Sequence, residues 1–332
     1  MTSQLATNRS ARPFDSRVWN MSSRAKRGIC FFLFLSLSLC AVCLAQEHPQ
    51  RPHILGIATV HINVSDVAPA TKFYSEATGI RLECDECGTP AISAPYILPS
   101  KQLLEINQGD PTVHASRVTR ISFLVDNLKT LEQILKANNV HYSPSNINGR
   151  YLMMITLEDP EGNELEFWPV SVSITTKMIQ KRNPPDSSFP MRIIHAGWVV
   201  KNRAAMETFY KDILGFHIYW SGGMKDGETD WVDMQVPDGT DWIEFMLNVP
   251  ADADKQTLGV MNHIALGVPD IHAAQQQLLK NGWKGTEQPK IGRDGKWQLN
   301  LYDPDGTRVE LMEFTPVEKP CCSEYTGPHP KP

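Results

Sequence analysis

One strand-then-helix pattern occurs four times in this chain, and a repeat of that kind restricts the fold more than any single element does. The copies are "TVHINVSDVAPATKFY" from Thr59, "RISFLVDNLKTLEQIL" from Arg120, "HAGWVVKNRAAMETFY" from His195 and "HIALGVPDIHAAQQQLL" from His263. In each, an apolar run ends in Val, one residue intervenes, and Asp or Asn opens a helix-like segment. Asp66, Asn127, Asn202 and Asp270 therefore take N-cap positions, where a short side-chain oxygen accepts from free N–H groups of the first turn. Helix stops follow at Gly79, at Asn138 and Asn139, at Gly215, and at Asn281 and Gly282. Short strand-like runs complete each unit. The expectation is an α+β chain of four βαβββ units. Two units would make a domain, giving domains at 54–171 and 191–316, a linker over 172–190 and a Pro-rich tail over 317–332. At 332 residues each domain has chain enough for a core of its own.

Counting back five residues from each Val reaches Thr59, Arg120, His195 and His263. The last strand of each unit carries a glutamate in apolar surroundings: Glu105, Glu166, Glu244 and Glu310. The separations are 46, 46, 49 and 47 residues, so the two positions recur as a ladder. Strand alternation puts His263, Ala265 and Gly267 on one face, and Ile264, Leu266 and Val268 on the other. His195 repeats this with Gly197, and Glu310 shares its face with Met312 and Phe314. Small residues beside each imidazole leave space there. Four ligand-type side chains are thus expected in one concavity of the second domain. Two imidazoles and two carboxylates suit one divalent ion, Zn, Ni, Co, Fe or Mn, with coordination sites left open for chemistry. Trp242, two residues before Glu244, is expected on the same side. The first domain departs from the pattern: Thr59 and Arg120 stand where the histidines would, and Arg120 beside Glu105 and Glu166 would supply the positive charge in place of a metal. His61 leaves open a displaced, weaker site.

These residues resemble the vicinal oxygen chelate superfamily, which includes glyoxalase I, methylmalonyl-CoA epimerase, fosfomycin and bleomycin resistance proteins and extradiol dioxygenases. The resemblance runs from Ile54 to Phe314 and rests on "HIAL…DPDGTRVELMEF" and its repeats. It implies two tandem domains, each a curled mixed sheet with flanking helices, and a metal held by His195, Glu244, His263 and Glu310. Three activities remain open. A glyoxalase-like lyase or isomerase would use Glu310 or Glu244 as the base at a carbon beside two adjacent oxygens. An extradiol-type ring-cleaving dioxygenase would use two histidines and one carboxylate. Against it, Asn300 stands where that family's signature has tyrosine, and no histidine follows His272 within the fold. A non-catalytic small-molecule binder would have no need of the ligands.

The first 45 residues differ in kind. Basic residues from Arg9 to Arg27 precede the apolar "FFLFLSLSLCAVCLA", which reads as a signal peptide cut after Ala45, with Met1 or Met21 as the start. The expectation is an exported protein, periplasmic or extracellular, with no membrane attachment after cleavage. Outside the cytoplasm glutathione is scarce, which counts against glyoxalase I itself. Cleavage leaves 26 basic against 36 acidic groups, about −10, a poor match to nucleic acid and a fit for a small-molecule substrate. The four remaining cysteines, Cys84, Cys87, Cys321 and Cys322, are expected as disulfides, with Cys84 and Cys87 joined to each other or to the tail pair.

Overall fold

Local signals act first. Asp66 accepts from the Ala68 amide at 2.9 Å, Asn127 from Lys129 and Thr130, Asn202 from Ala205, and Asp270 from His272 and Ala273. All four capping residues thus start their helices. The helices of the first and third units are shorter than the pattern suggests: α1 (Val67–Thr71) and α3 (Arg203–Glu207) run on into π-helical turns over Lys72–Ala77 and Thr208–Ile213. The others are α2 (Leu128–Ala137), α4 (Lys255–Met261) and α5 (Ile271–Lys280). Gly79 and Gly215 follow the π turns at φ of 71° and 80°, a left-handed conformation that a side chain resists.

The computed structural model describes residues 51–82, 93–98, 100, 102–109, 117–147, 151–170 and 188–332. The signal segment 1–45, most of the 172–190 linker and Cys84 with Cys87 lie outside the described residues. Among the described residues no helix is long and apolar enough to cross a membrane. From Pro49 onward the chain forms one compact unit.

Two sheets of eight strands share one topology. The first contains β1 (Ile54–Val64), β2 (Arg81–Leu82), β3 (Ser93–Ile97), β4 (Leu103–Gln108), β5 (Val118–Val125), β6 (Ser143–Ile147), β7 (Tyr151–Glu158) and β8 (Glu164–Pro169), in the order β2-β3-β4-β1-β5-β8-β7-β6. The second contains β9 (Arg192–Val199), β10 (His217–Gly222), β11 (Trp231–Gln235), β12 (Trp242–Met246), β13 (His263–Val268), β14 (Lys290–Ile291), β15 (Trp297–Tyr302) and β16 (Arg308–Glu313), in the order β10-β11-β12-β9-β13-β16-β15-β14. The sheets are curled and mixed, an α+β fold. Within each, the first strands of two units pair antiparallel at the centre and each pairs parallel with a last strand.

The two sheets share a core rather than each burying its own. Ile54, Ile121 and Phe123 of the first belong to the same cluster as Trp198, Ile264 and Leu266 of the second. Trp198 is fully buried, and its ring N–H donates to the Val118 carbonyl at 2.9 Å, across the boundary between sheets. Polar locks reinforce the contact with approximate twofold symmetry. The Tyr74 hydroxyl donates to Asp303 and the Tyr210 hydroxyl to Asp159, both at 3.1 Å. Ser65 is held by Asp305, while the amides of Lys201 and Asn202 donate to Glu161. Unit one therefore packs on unit four, and unit two on unit three.

The tail beyond 317 is folded onto the second sheet. Thr326 donates its amide to the Tyr219 carbonyl at 3.0 Å, and the Tyr325 ring lies 4.7 Å from that of Tyr219. The Lys296 ammonium is buried between Trp242, Tyr219 and Tyr325, 4.6, 5.2 and 5.2 Å from their ring centres. Cys321 and Cys322 form a disulfide with each other, which corrects the alternative that joined the tail pair to Cys84 or Cys87. Adjacent cysteines meet without any loop having to close.

Candidate metal centre

Strand pairing brings the four expected ligands together in the second sheet. His195 lies opposite Trp242 in the β9–β12 ladder, with Glu244 two residues further along opposite Gly197. Gly197 is also the antiparallel partner of His263, and Ala265 joins His195 to Glu310. The Nε2 atoms of His195 and His263 are 3.1 Å apart. Glu244 Oε2 is 2.9 Å from His263 Nε2 and 3.7 Å from His195 Nε2, while Glu310 Oε2 is 3.8 and 3.6 Å from the same atoms. Bonds of about 2.1 Å to one ion place neighbouring donors roughly 3.0 to 3.4 Å apart, so these separations suit a shared cation. His195, Glu244 and His263 form the tightest group.

The orientation of the rings supports the same use. His263 Nδ1 lies 3.0 Å from the Met261 carbonyl, so that nitrogen carries the proton and Nε2 presents a lone pair to the cluster. Gly197 makes room for this ring: a Cβ there would come within 2.2 Å of His263 Cε1. The space that small residues were expected to leave is thus filled by His263 over Gly197, and by Phe314 against Gly267. Trp242 faces the site as expected, its ring 4.7 Å from that of His195.

Burial lowers the proton affinity of both imidazoles, His195 well below the usual value, so both are neutral donors near pH 7. Burial raises Glu310 to about 7, against the pull of Arg308. Burial opposes the charge on Glu244, but the neighbouring imidazoles of His263 and His195 and the Arg308 guanidinium together hold its carboxyl below the usual range. Glu310 is the ligand that must lose a proton near neutrality to bind a metal. Metal affinity is therefore expected to be level above pH 7 and to fall by about tenfold per pH unit just below it. Zinc titrations from pH 5.5 to 8.5 test this, and an affinity that rises toward acid would refute it.

In the first sheet the same register holds different chemistry. His61, opposite Arg120 and Glu105, takes the place of Gly197, so no ring can lie over β1 there. Arg120 pairs with Glu166 at 2.9 Å and Glu164 at 2.6 Å, not with Glu105 as expected from spacing. Glu105 lies 3.6 Å from His61 instead. Ser122 and Trp168 also donate to Glu166.

A cavity of about 420 Å³ opens on the metal cluster and is lined by His195, Glu244, Glu310, Trp220, Trp231, Asp233 and Arg308. Two of its features escaped the reading of spacings. Asp233 is paired with Glu244 across β11 and β12, and burial with the repulsion of Glu244 keeps its carboxyl well above the usual range. Its signal was an acid inside the apolar "WVDMQV". Arg308 places a guanidinium nitrogen 2.8 Å from His263 Nε2. Its signal was its place two residues before Glu310, on the same strand face.

Comparison with known proteins agrees with this geometry. Residues 192–311 match the Glyoxalase/Bleomycin resistance protein/Dioxygenase superfamily. The match takes in strands of the second sheet and all four expected ligands. A lactoylglutathione lyase of Haemophilus influenzae is 26% identical over 125 residues, which cover 37% of this chain and 93% of the relative. Homoprotocatechuate 2,3-dioxygenase of Arthrobacter globiformis superposes with a TM-score of 0.57 at 17% identity, covering 79% of this chain and 80% of that one. An extradiol ring-cleaving dioxygenase of B. fuscum gives 0.59 at 16% identity, over 80% and 74%. The lyase match spans about a third of this chain, whereas the dioxygenases share the fold over most of it.

Proposed function

We propose that this is an exported, metal-dependent lyase or isomerase of the vicinal oxygen chelate superfamily, acting on a small molecule with two adjacent oxygens in the cavity of the second sheet. His195, Glu244, His263 and Glu310 would hold one divalent ion, Zn, Ni, Co, Fe or Mn. Such an ion polarises adjacent substrate oxygens and so acidifies the neighbouring C–H. Glu310 is suited to move that proton, since it borders the cavity and lies further from His263 than Glu244 does. Glu244 stays ionised and serves as a ligand. Trp220, Trp231 and Trp242 provide apolar walls that exclude water from the reacting carbon.

The observation that carries this reading is the position of Glu244. A ring-cleaving site needs two imidazoles and the last-strand carboxylate only, whereas here Glu244 lies closer to His263 than Glu310 does. The dioxygenase reading remains second because its support is likeness of fold. Replacing Glu244 with Gln is expected to weaken zinc affinity about as much as replacing either histidine. Deuterium exchange at the carbon next to the carbonyl of 2-oxoaldehyde adducts and α-hydroxyketones tests the chemistry, with catechols in parallel. Ring cleavage of a catechol by protein that keeps its metal after Glu244→Gln would overturn the lyase or isomerase reading. Export is tested by N-terminal sequencing of secreted material, and a start before Ile29 would overturn it.

A further inference from the structure

Among the groups around His263 Nε2, Arg308 and a bound metal would claim the same lone pair. Nδ1 is committed to the Met261 carbonyl, so Nε2 is the only acceptor on the ring, and Arg308 donates to it at 2.8 Å. A metal bound to His263 needs that same lone pair, and both cannot have it. The Arg308 guanidinium must therefore leave His263 when the ion enters. Its nearest carboxylate, Glu244 at 4.0 Å, is claimed by the ion as well. The Arg308 side chain is about 15% exposed and lines the cavity, and its Nε has no hydrogen-bond partner among the described residues. The displaced cation thus has the cavity beside it and donors to satisfy.

Charge decides what it would meet there. With both ligand carboxylates committed to the ion, Arg308 has no other acid within 4.0 Å among the described residues. We infer that Arg308 is the anion-recognition residue of this site, handing His263 to the metal and taking a carboxylate of the substrate in exchange. The substrate class is then a hydroxy- or oxo-carboxylate, whose adjacent oxygens face the ion while the acid group meets the guanidinium fork. This rests on the metal reading above. The first sheet shows that these two positions are built as neighbours: Arg120 and Glu164 occupy the corresponding places on β5 and β8 and pair at 2.6 Å.

The test compares the full mature protein with Arg308→Met and Arg308→Lys, each checked for folding by circular dichroism. Isothermal titration measures Zn²⁺ first, then oxalate and the neutral hydroxyketone acetoin on zinc-loaded protein. Arg308→Met is expected to bind zinc about tenfold more tightly, because no guanidinium has to leave. It should bind oxalate more than tenfold more weakly, with acetoin unchanged and Arg308→Lys in between. Equal oxalate affinity in all three zinc-loaded proteins, or weaker zinc binding by Arg308→Met, overturns the assignment while leaving the metal centre intact. Failure of every protein, wild type included, to bind any of Zn²⁺, Ni²⁺, Co²⁺, Fe²⁺ or Mn²⁺ overturns the metal centre and this role with it.

Discussion

Protein carrying His263→Ala is expected to lose its divalent ion: metal analysis should fall from one ion per chain to a small residue, with affinity reduced by more than about 100-fold. The estimate is a floor, since disturbing a group that merely orients a ligand already costs about 10- to 100-fold. His263 is one of two nitrogen donors, its Nδ1 proton is fixed by Met261, and its ring lies against Gly197 where no other side chain can replace it. His195→Ala should behave alike, because His195 Nε2 is within 3.7 Å of the other three ligands. Arg120→Ala should leave the metal content unchanged, since Arg120 is held by Glu164 and Glu166 in the other sheet. Two ions per chain in the wild type, or metal loss on changing Arg120 or His61, would show that the active sheet has been misassigned.

The second large effect is expected from Trp198→Ala. Truncating a fully buried tryptophan costs about 3–5 kcal/mol through lost burial and the cavity left behind. The Val118 carbonyl would also lose its indole donor, which adds about 1–3 kcal/mol if no other group reaches it. The loss falls where the two sheets share their core, so urea unfolding should show a lower midpoint and a separation into two transitions. Trp198→Phe keeps most of the ring and should cost much less. A single transition with an unchanged midpoint in Trp198→Ala would mean that the shared core is not what couples the sheets.

Much of the candidate site was legible from spacing because the signals involved are local or periodic. A cap needs only a short polar side chain shortly after a strand, and Asp66, Asn127, Asn202 and Asp270 supply it. Alternation fixes the face on which His263 or Glu310 lies, and similar separations between first and last strands bring the two into one ladder. The fourfold repeat, the ligand types and the departure of the first sheet from the pattern all follow from these local rules. Arg120 pairs with Glu166 as expected but with Glu164 instead of Glu105, because Glu164 is its direct partner on β8 whereas Glu105 lies two strands away, beyond His61.

What the tertiary structure decided concerns contacts between residues far apart in the chain. That Tyr74 would meet Asp303, and Tyr210 meet Asp159, depends on how two curled sheets seat against each other, and no period in the sequence reports it. The same holds for the tail, whose prolines argue for extended chain but not for the ring of Tyr219 on which Tyr325 rests. It holds as well for Arg308, whose strand face was readable but whose hydrogen bond to His263 was not. Local order is encoded in neighbours along the chain. The partner of a buried polar group is set by which surfaces the whole fold presses together, and there the need to satisfy each buried donor and acceptor chooses among contacts that spacing leaves equal.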